Sequence, residues 1–363
     1  MRRSWLATLF GAALAASALT HQARATPYDA IYVFGDSLSD NGNLAEVYPP
    51  GNTTGFPNPP SYHQSFTNGP VAVSDLAAGL GLPLNPSLWL SGFADVKGLF
   101  PGVAPGTNYA VAGATSNALA TGGPSSINLP QQVLAYNFAS HGVADSNALY
   151  VVMIGGNDVR NATLQTAGSS QTPAAASSIA TGVQTELAAI STLAGIGARQ
   201  FLVVNVPDVG VIPEFAQDDP SQASLATQLT RLYNSELSAG LAGLPVPAST
   251  SLSLFDLFSY NGNIDANAAA YGLTDTTDAC YTNTPVSAAT SPQCGPNAQN
   301  IGSFVYWDSI HPTAQVHALW AQGMEATLGV SVPEPSTLVL LPLAAALAML
   351  RPRRRRMEGE QAL

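Results

Sequence analysis

Residues 31–43 read IYVFGDSLSDNGN and constrain this chain more than any other stretch. Ile31, Tyr32, Val33 and Phe34 have strong strand preference and run into Gly35, then into a polar turn opened by Asp36 and Ser37. A continuous apolar run that stops at a tight turn is the pattern of a strand buried on both faces. In an open α/β sheet the carboxyl ends of such strands are where ligands bind, because the following turn projects side chains and free N–H groups into a crevice. Ser37 stands at that spot, with Gly35 leaving the approach to its hydroxyl clear. The plainer alternative is that Asp36 and Ser37 only cap a helix.

The 363 residues carry a formal charge of −11, and both ends have the composition of processing signals. Residues 1–25 combine Arg2 and Arg3, an apolar run from Trp5 to about Leu19, and the small-x-small site Ala23-Arg24-Ala25, the pattern of a secretory signal peptide. Residues 331–363 hold Pro333-Glu334-Pro335, the apolar run Leu338–Leu350, and arginines 351 and 353–356. An apolar segment followed by arginines is a stop-transfer pattern, although this one is short for a spanning helix and is interrupted by Pro342. The tripartite order resembles the PEP-CTERM sorting signal of exopolysaccharide-producing Gram-negative bacteria. That resemblance implies signal peptidase and an exosortase-type sorting enzyme as partners, transient membrane insertion through the tail, and residence in the periplasm, at the cell surface or in the extracellular matrix. A plain C-terminal anchor is the alternative.

Without the leader and the segment beyond the Pro-Glu-Pro, Lys97, Arg160, Arg199 and Arg231 are the only basic residues left. The remainder is so acidic that it offers no footprint for a phosphate backbone, which excludes nucleic acid as a partner. Cys280 and Cys294, the only cysteines, lie in a loop-like region. In an exported chain they are expected to form a disulfide, stabilising by about 3 kcal/mol in the chain-entropy view. Two cysteines without a neighbouring histidine cannot complete a tetrahedral metal shell, so no metal is expected.

Residues 26–330 are expected to form one domain, with strands at Ala30–Phe34, Asn108–Val111, Leu149–Ile154, Phe201–Val206 and Leu252–Phe255. Helical patterns fall at Gly69–Leu80, Leu129–Ser140, Pro173–Leu193, Ser221–Leu241 and Pro312–Leu328. Alternating strands and helices predict an α/β fold, a three-layer α/β/α domain around a mainly parallel five-stranded sheet. Asn41–Ser65, Pro83–Gly106 and Asn261–Ser303 read as long irregular stretches, the second with exposed-looking Trp89, Phe93 and Phe100.

A hydroxyl nucleophile needs a base, and the base needs a group that orients it. His21 lies in the leader, His63 in a Pro-rich loop, His141 beside Gly142, and His317 inside the last helix. His311 differs, because Asp308 three residues earlier can accept its Nδ1–H within one local loop. That bond selects the tautomer whose Nε2 can take a proton from Ser37. Bracketing the helix start is the simpler role for the same pair. An oxyanion would need donors, and three are on offer: the Ser37 N–H, the Gly113 N–H, and the Asn157 side chain in Gly155-Gly156-Asn157-Asp158.

Four blocks occur in order: FGDSLSDNGN at 34–43, NYAVAGA at 108–114, GGND at 155–158, and DSIHPT at 308–313, with TNGP at 67–70 between the first two. Together they resemble the GDSL subgroup of the SGNH hydrolases, serine esterases and lipases with a flavodoxin-like arrangement. The resemblance implies nucleophile Ser37, oxyanion donors Ser37, Gly113 and Asn157, and Asp308 with base His311, with no cofactor or metal. It implies an exported hydrolase of acyl esters working through an acyl-enzyme on Ser37, on lipid-like or short-chain substrates. The sorting tail favours a polysaccharide O-acetylesterase instead, the loop aromatics a lipid substrate. A non-catalytic matrix-binding protein is the rival from another class. No G-x-S-x-G elbow is present, which disfavours an α/β-hydrolase.

Overall fold

The computed structural model describes residues 27–44, 65–91, 106–117, 127–166, 172–281 and 301–330. The leader, the tail, His63, Phe93, Phe100 and Cys294 lie outside them.

Strands β1 (Ile31–Gly35), β2 (Leu149–Met153), β3 (Gln200–Val204) and β4 (Ser251–Phe255) form one parallel sheet in that order. Their register is flush at the carboxyl end, where Gly35 faces Met153, Met153 faces Val204, and Val204 faces Phe255. The expected strand at Asn108–Val111 runs parallel along the outer edge of β1. Val33 N–H donates to the Thr107 carbonyl at 3.0 Å, Tyr109 N–H to Val33 at 2.7 Å, and Val111 N–H to Gly35 at 3.1 Å. It stays a single bridge rather than a regular strand. The rung that would join Gly35 N–H to the Tyr109 carbonyl is diverted: Gly35 N–H donates to Gln132 Oε1, and the Tyr109 carbonyl accepts from the Trp89 indole.

Side chains alternate across the sheet and define two apolar layers. Phe34, Tyr150, Val152, Phe201 and Val203 pack against α2 (Leu129–Ala139), α3 (Gly156–Gln165), α4 (Thr172–Gly195) and α5 (Pro220–Ala242). Ile31, Val33, Val151, Leu202 and Val204 face α1 (Ala72–Gly79), α6 (Leu257–Ala266) and α7 (Ala314–Thr327) on the other side. The result is the expected α/β/α sandwich.

Three expectations are corrected. The region Asn261–Ser303 is not wholly irregular. It contains most of α6 and also β5 (Asp275–Ala279), which pairs in parallel with β6 (Phe304–Tyr306). Asn-Gly-Asn within α6 gives poor helix propensity, and burial of Leu257 and Ile264 overrides it. Asp256 caps that helix by accepting from Ser259 N–H. Trp89 is not exposed: it is 6% accessible, and its indole N–H donates to the Tyr109 carbonyl. Finally, Gly155-Gly156-Asn157-Asp158 leads directly into α3, a helix absent from the expected set.

Candidate active site

The nucleophile and the oxyanion donors lie at the carboxyl ends of β1, β2 and the extended edge segment beside β1. β1 runs into Ser37, the edge segment 107–111 into Gly113, and β2 into Asn157. Because β1 lies between the other two, their ends are about 5 Å to either side of it. Gly35 is required at the exit of β1, since a Cβ there would sit 2.3 Å from the Met153 carbonyl oxygen.

Asp40 ties the first two blocks together. Its buried carboxylate accepts from the N–H groups of Gly42, Asn43, Leu44 and Ala112. Burial pushes its pKa up, and those four donors pull the other way. Asn43 adds a second tie by donating to the carbonyls of Asn108 and Ala110 at 2.8 Å each. Neither role is apparent from the sequence beyond the turn-forming character of Asp-Asn-Gly-Asn.

His311 is carried by a tight loop after β6. Asp308 Oδ1 accepts from the N–H groups of Ile310 at 2.8 Å and His311 at 2.6 Å, and Trp307 N–H donates to the His311 carbonyl at 2.8 Å. The imidazole Nδ1 is 2.8 Å from Asp308 Oδ2, and its Nε2 is 2.8 Å from Ser37 Oγ. A carboxylate only accepts, so Nδ1 carries the proton and Nε2 is left to accept from the serine hydroxyl. Ser37 is 8% and His311 7% accessible, enough to meet a small reactant from one side.

The Thr67-Asn68-Gly69-Pro70 block braces this loop from the far side of the chain. Thr67 donates to the Pro312 carbonyl, and Asn68 accepts from Ala314 N–H, capping α7 where Thr313 does not. Gly69 is packed so closely that a Cβ would meet that of Ala314 at 2.4 Å. His317 is a packed core residue: its Nδ1 accepts from Ala72 N–H at the start of α1. Desolvation, with His311 nearby, lowers its pKa to about 3, so it is neutral.

The oxyanion candidates occupy conformations suited to donors. Gly113 has φ +84° and is exposed, and neither its N–H nor that of Ser37 donates to another group among the described residues. Asn157 donates one amide hydrogen to the Ala114 carbonyl at 2.9 Å, which fixes the side chain and leaves the other hydrogen available. Gly155 has φ +109°, and a Cβ there would fall 2.6 Å from the Tyr233 ring. Asp36 is buried beside this site, and desolvation pushes its pKa up to about 7. It accepts from Leu38 N–H and shapes the turn.

Cys280 is buried and carries no free thiol. Its only possible partner in the chain, Cys294, lies outside the described residues. Next to it, Cys280 N–H donates to the Tyr306 carbonyl and Tyr281 N–H to that of Trp307, with the Tyr281 and Trp307 rings stacked. These contacts support the strand that leads into Asp308. Among the described residues no three His, Cys, Asp or Glu side chains are grouped as a metal would require.

Comparison with known proteins gives a consistent picture. The model of the family described as GDSL-like lipase/acylhydrolase matches residues 31–324. The chain is 28% identical over 332 residues to acetylajmalan esterase 2 of Rauvolfia serpentina, covering 80% of this chain and 88% of that one. It is 30% identical to esterase EstA of Pseudomonas aeruginosa, covering 94% of this chain and 53% of that protein. A solved acetylxylan esterase, Axe2 of Geobacillus stearothermophilus, aligns with 12% identity and a TM-score of 0.38, covering 86% of this chain and all of that one.

Proposed function

The chain belongs to the GDSL-like lipase/acylhydrolase family and is a carboxylic ester hydrolase, and on that premise we propose that it works through an acyl-enzyme on Ser37. The observation that carries this reading is the continuous contact from Asp308 through His311 to Ser37, with both links at 2.8 Å. His311 Nε2 takes the hydroxyl proton as Ser37 Oγ attacks the ester carbonyl. Asp308 stabilises the imidazolium that forms. The tetrahedral oxyanion is received by the N–H groups of Ser37 and Gly113 and by the Asn157 amide. Its collapse breaks the bond to the alcohol oxygen, which takes the proton from His311. Water then repeats the sequence on the acyl-enzyme, releasing the acid and restoring Ser37.

The substrate is an acyl ester, lipid-like or short-chain. Of the aromatics that favour a lipid, Trp89 is buried against Tyr109 and unavailable to one, and Phe93 and Phe100 lie outside the described residues. An acetylated polysaccharide is the second reading, favoured by the sorting-tail resemblance of residues 331–363. We read those residues as a PEP-CTERM tail and residues 1–25 as a leader, which makes the enzyme an exported one. The absence of a free thiol at Cys280 suits an oxidising compartment.

Labelling of the purified protein with a fluorophosphonate tests the chemistry. Modification is expected on Ser37, and an unmodified Ser37 in folded protein would instead favour a non-catalytic binder. Turnover of p-nitrophenyl esters from acetate to palmitate decides chain length, and acetate release from acetylated polysaccharide tests the second reading. Intact-mass analysis of the cell-surface form tests export: a C-terminus still containing residues 338–356 would overturn sorting at the Pro-Glu-Pro.

A further inference from the structure

Gly113 belongs to a segment, 112–117, that has no regular secondary structure, yet its N–H must point at the developing oxyanion. Its neighbours are held by side chains from elsewhere in the chain. Ala112 N–H is bound by Asp40, and Thr115 N–H by Asn128. Ala114 N–H goes to the Val111 carbonyl, and the last two amides go to one carboxylate: Ser116 N–H donates to Asp158 Oδ2 at 2.8 Å, and Asn117 N–H to Oδ1 at 3.0 Å. Asp158 follows the candidate donor Asn157 and is buried at 3% accessibility. One short segment of α3 therefore supplies a donor and also holds the loop that carries another.

Behind Asp158 lies a buried row of oxygens that the proposed reaction does not use. The Ser116 hydroxyl lies beside Asp158 and, with the backbone donors, opposes the rise that burial imposes on its pKa. Tyr233 Oη is 3.0 Å from Ser116 Oγ and 2.6 Å from Glu186 Oε2, and Glu186 is fully buried. α4 comes this close because residue 182 is glycine: a Cβ there would be 2.9 Å from Ser116 Oγ and 3.0 Å from Asp158 Oδ1. Glu186 Oε1 finds no partner among the described residues, and a neutral Glu186 leaves that oxygen unmet at lower cost than a charged one. Burial acts in the same sense, pushing the Glu186 pKa up to about 8 and that of Asp158, with its donors, to about 6.

We propose that Asp158 is a positioning residue for the oxyanion hole, clamping the Ser116 and Asn117 amides with its two oxygens while buried Tyr233, bonded to the Ser116 hydroxyl, fixes that residue from behind. The proposal rests on the hydrolase reading above. It deepens that reading by assigning the placement of the Gly113 N–H to three side chains that touch no substrate.

Asp158→Asn is the direct test, because the amide keeps the shape but turns an NH2 toward one of the two backbone donors. Turnover is measured per site, with fluorophosphonate-reactive Ser37 as the count, so that misfolded protein does not contribute. The expected result is a kcat at least tenfold lower with KM within threefold of wild type, since the loop is needed most when the oxyanion forms. A kcat within threefold of wild type would overturn the clamp. Should Asp158→Asn give no folded protein, Tyr233→Phe carries the test, removing one oxygen from the middle of the row. It is expected to lower kcat about fivefold at unchanged KM, and an unchanged kcat would overturn the proposal. Failure of the hydrolase reading is distinguishable: there the wild-type Ser37 takes no label at all, and the positioning role falls with it.

Discussion

Gln132 bonds to Gly35 as a neighbouring strand would. Its Oε1 accepts from Gly35 N–H at 2.9 Å, and its Nε2 donates to the Gly35 carbonyl at 2.7 Å. The pair is fully buried and lies two residues before Ser37. A side chain on α2 thus closes the backbone hydrogen bonds of β1 where the strand gives way to the nucleophile turn.

Removing that amide should leave buried backbone groups unmet. Gln132→Ala is expected to cost about 2–4 kcal/mol, from at least one unsatisfied polar group plus lost packing. Urea unfolding followed by tryptophan fluorescence measures it, and an unchanged midpoint would show that water or a shifted loop replaces the amide.

Ser37 and His311 act as one unit in the proposed reaction. Ser37→Ala and His311→Ala should each lower kcat about 10³-fold or more, and the double variant should be little worse than either. Multiplicative losses in the double variant would mean that the two act in separate steps.

Asn157 separates chemistry from backbone conformation. An asparagine that served only the first turn of α3 would lose stability on substitution and keep its rate. Asn157→Asp places a carboxylate where negative charge develops, so kcat should fall about 10²–10³-fold while KM changes far less. A kcat within threefold of wild type would remove Asn157 from the oxyanion hole.

Stability should fall as pH rises above neutrality. Asp36 and Glu186 have pKa values pushed by burial to about 7 and about 8, from ordinary values of 3.8 and 4.5. An acid whose folded pKa lies above its unfolded value binds more protons in the folded state between the two. Its contribution is therefore complete below the lower value and lost as pH climbs through the upper one. His317 works in the opposite sense at lower pH. Its pKa is depressed to about 3, so its contribution is present above 6.5 and lost as pH falls toward 3. Between pH 6.5 and 8.5 the buried acids dominate, and the Tm should decline. Glu186→Gln, which cannot ionise, should show a shallower decline over that range. An equal slope in the two proteins would mean that Glu186 does not titrate there.

Much of this architecture can be read in the sequence, because parallel strands buried on both faces leave unbroken apolar runs. Ile31–Phe34, Leu149–Met153 and Phe201–Val204 are of this kind, and each candidate reacting residue sits just past such a run or in a short local motif. Asp308 and His311 are three residues apart, so their contact is local. What escapes a sequence reading is long-range and between side chain and backbone. Gln132 reaches across 97 residues to Gly35, Asp40 across 72 to Ala112, and Asp158 across 42 to Ser116, with no periodicity to announce any of them. α3 and α6 are hidden for a related reason: their sequences are rich in Asn and Gly, and tertiary burial keeps them helical. Trp89 is missed because a loop of irregular composition folds this ring inward to a backbone carbonyl.

Ser37 and His311 are 274 residues apart, and the loop bearing the histidine is seated by residues 67–69 and followed directly by α7. At about 5–20 residues per second, a ribosome makes the base on the order of 15–55 s after the nucleophile. Throughout that interval the serine has no partner to deprotonate it. On the proposed roles the chain is therefore latent until the loop bearing His311 is seated, and ester cleavage reports that α7 has docked.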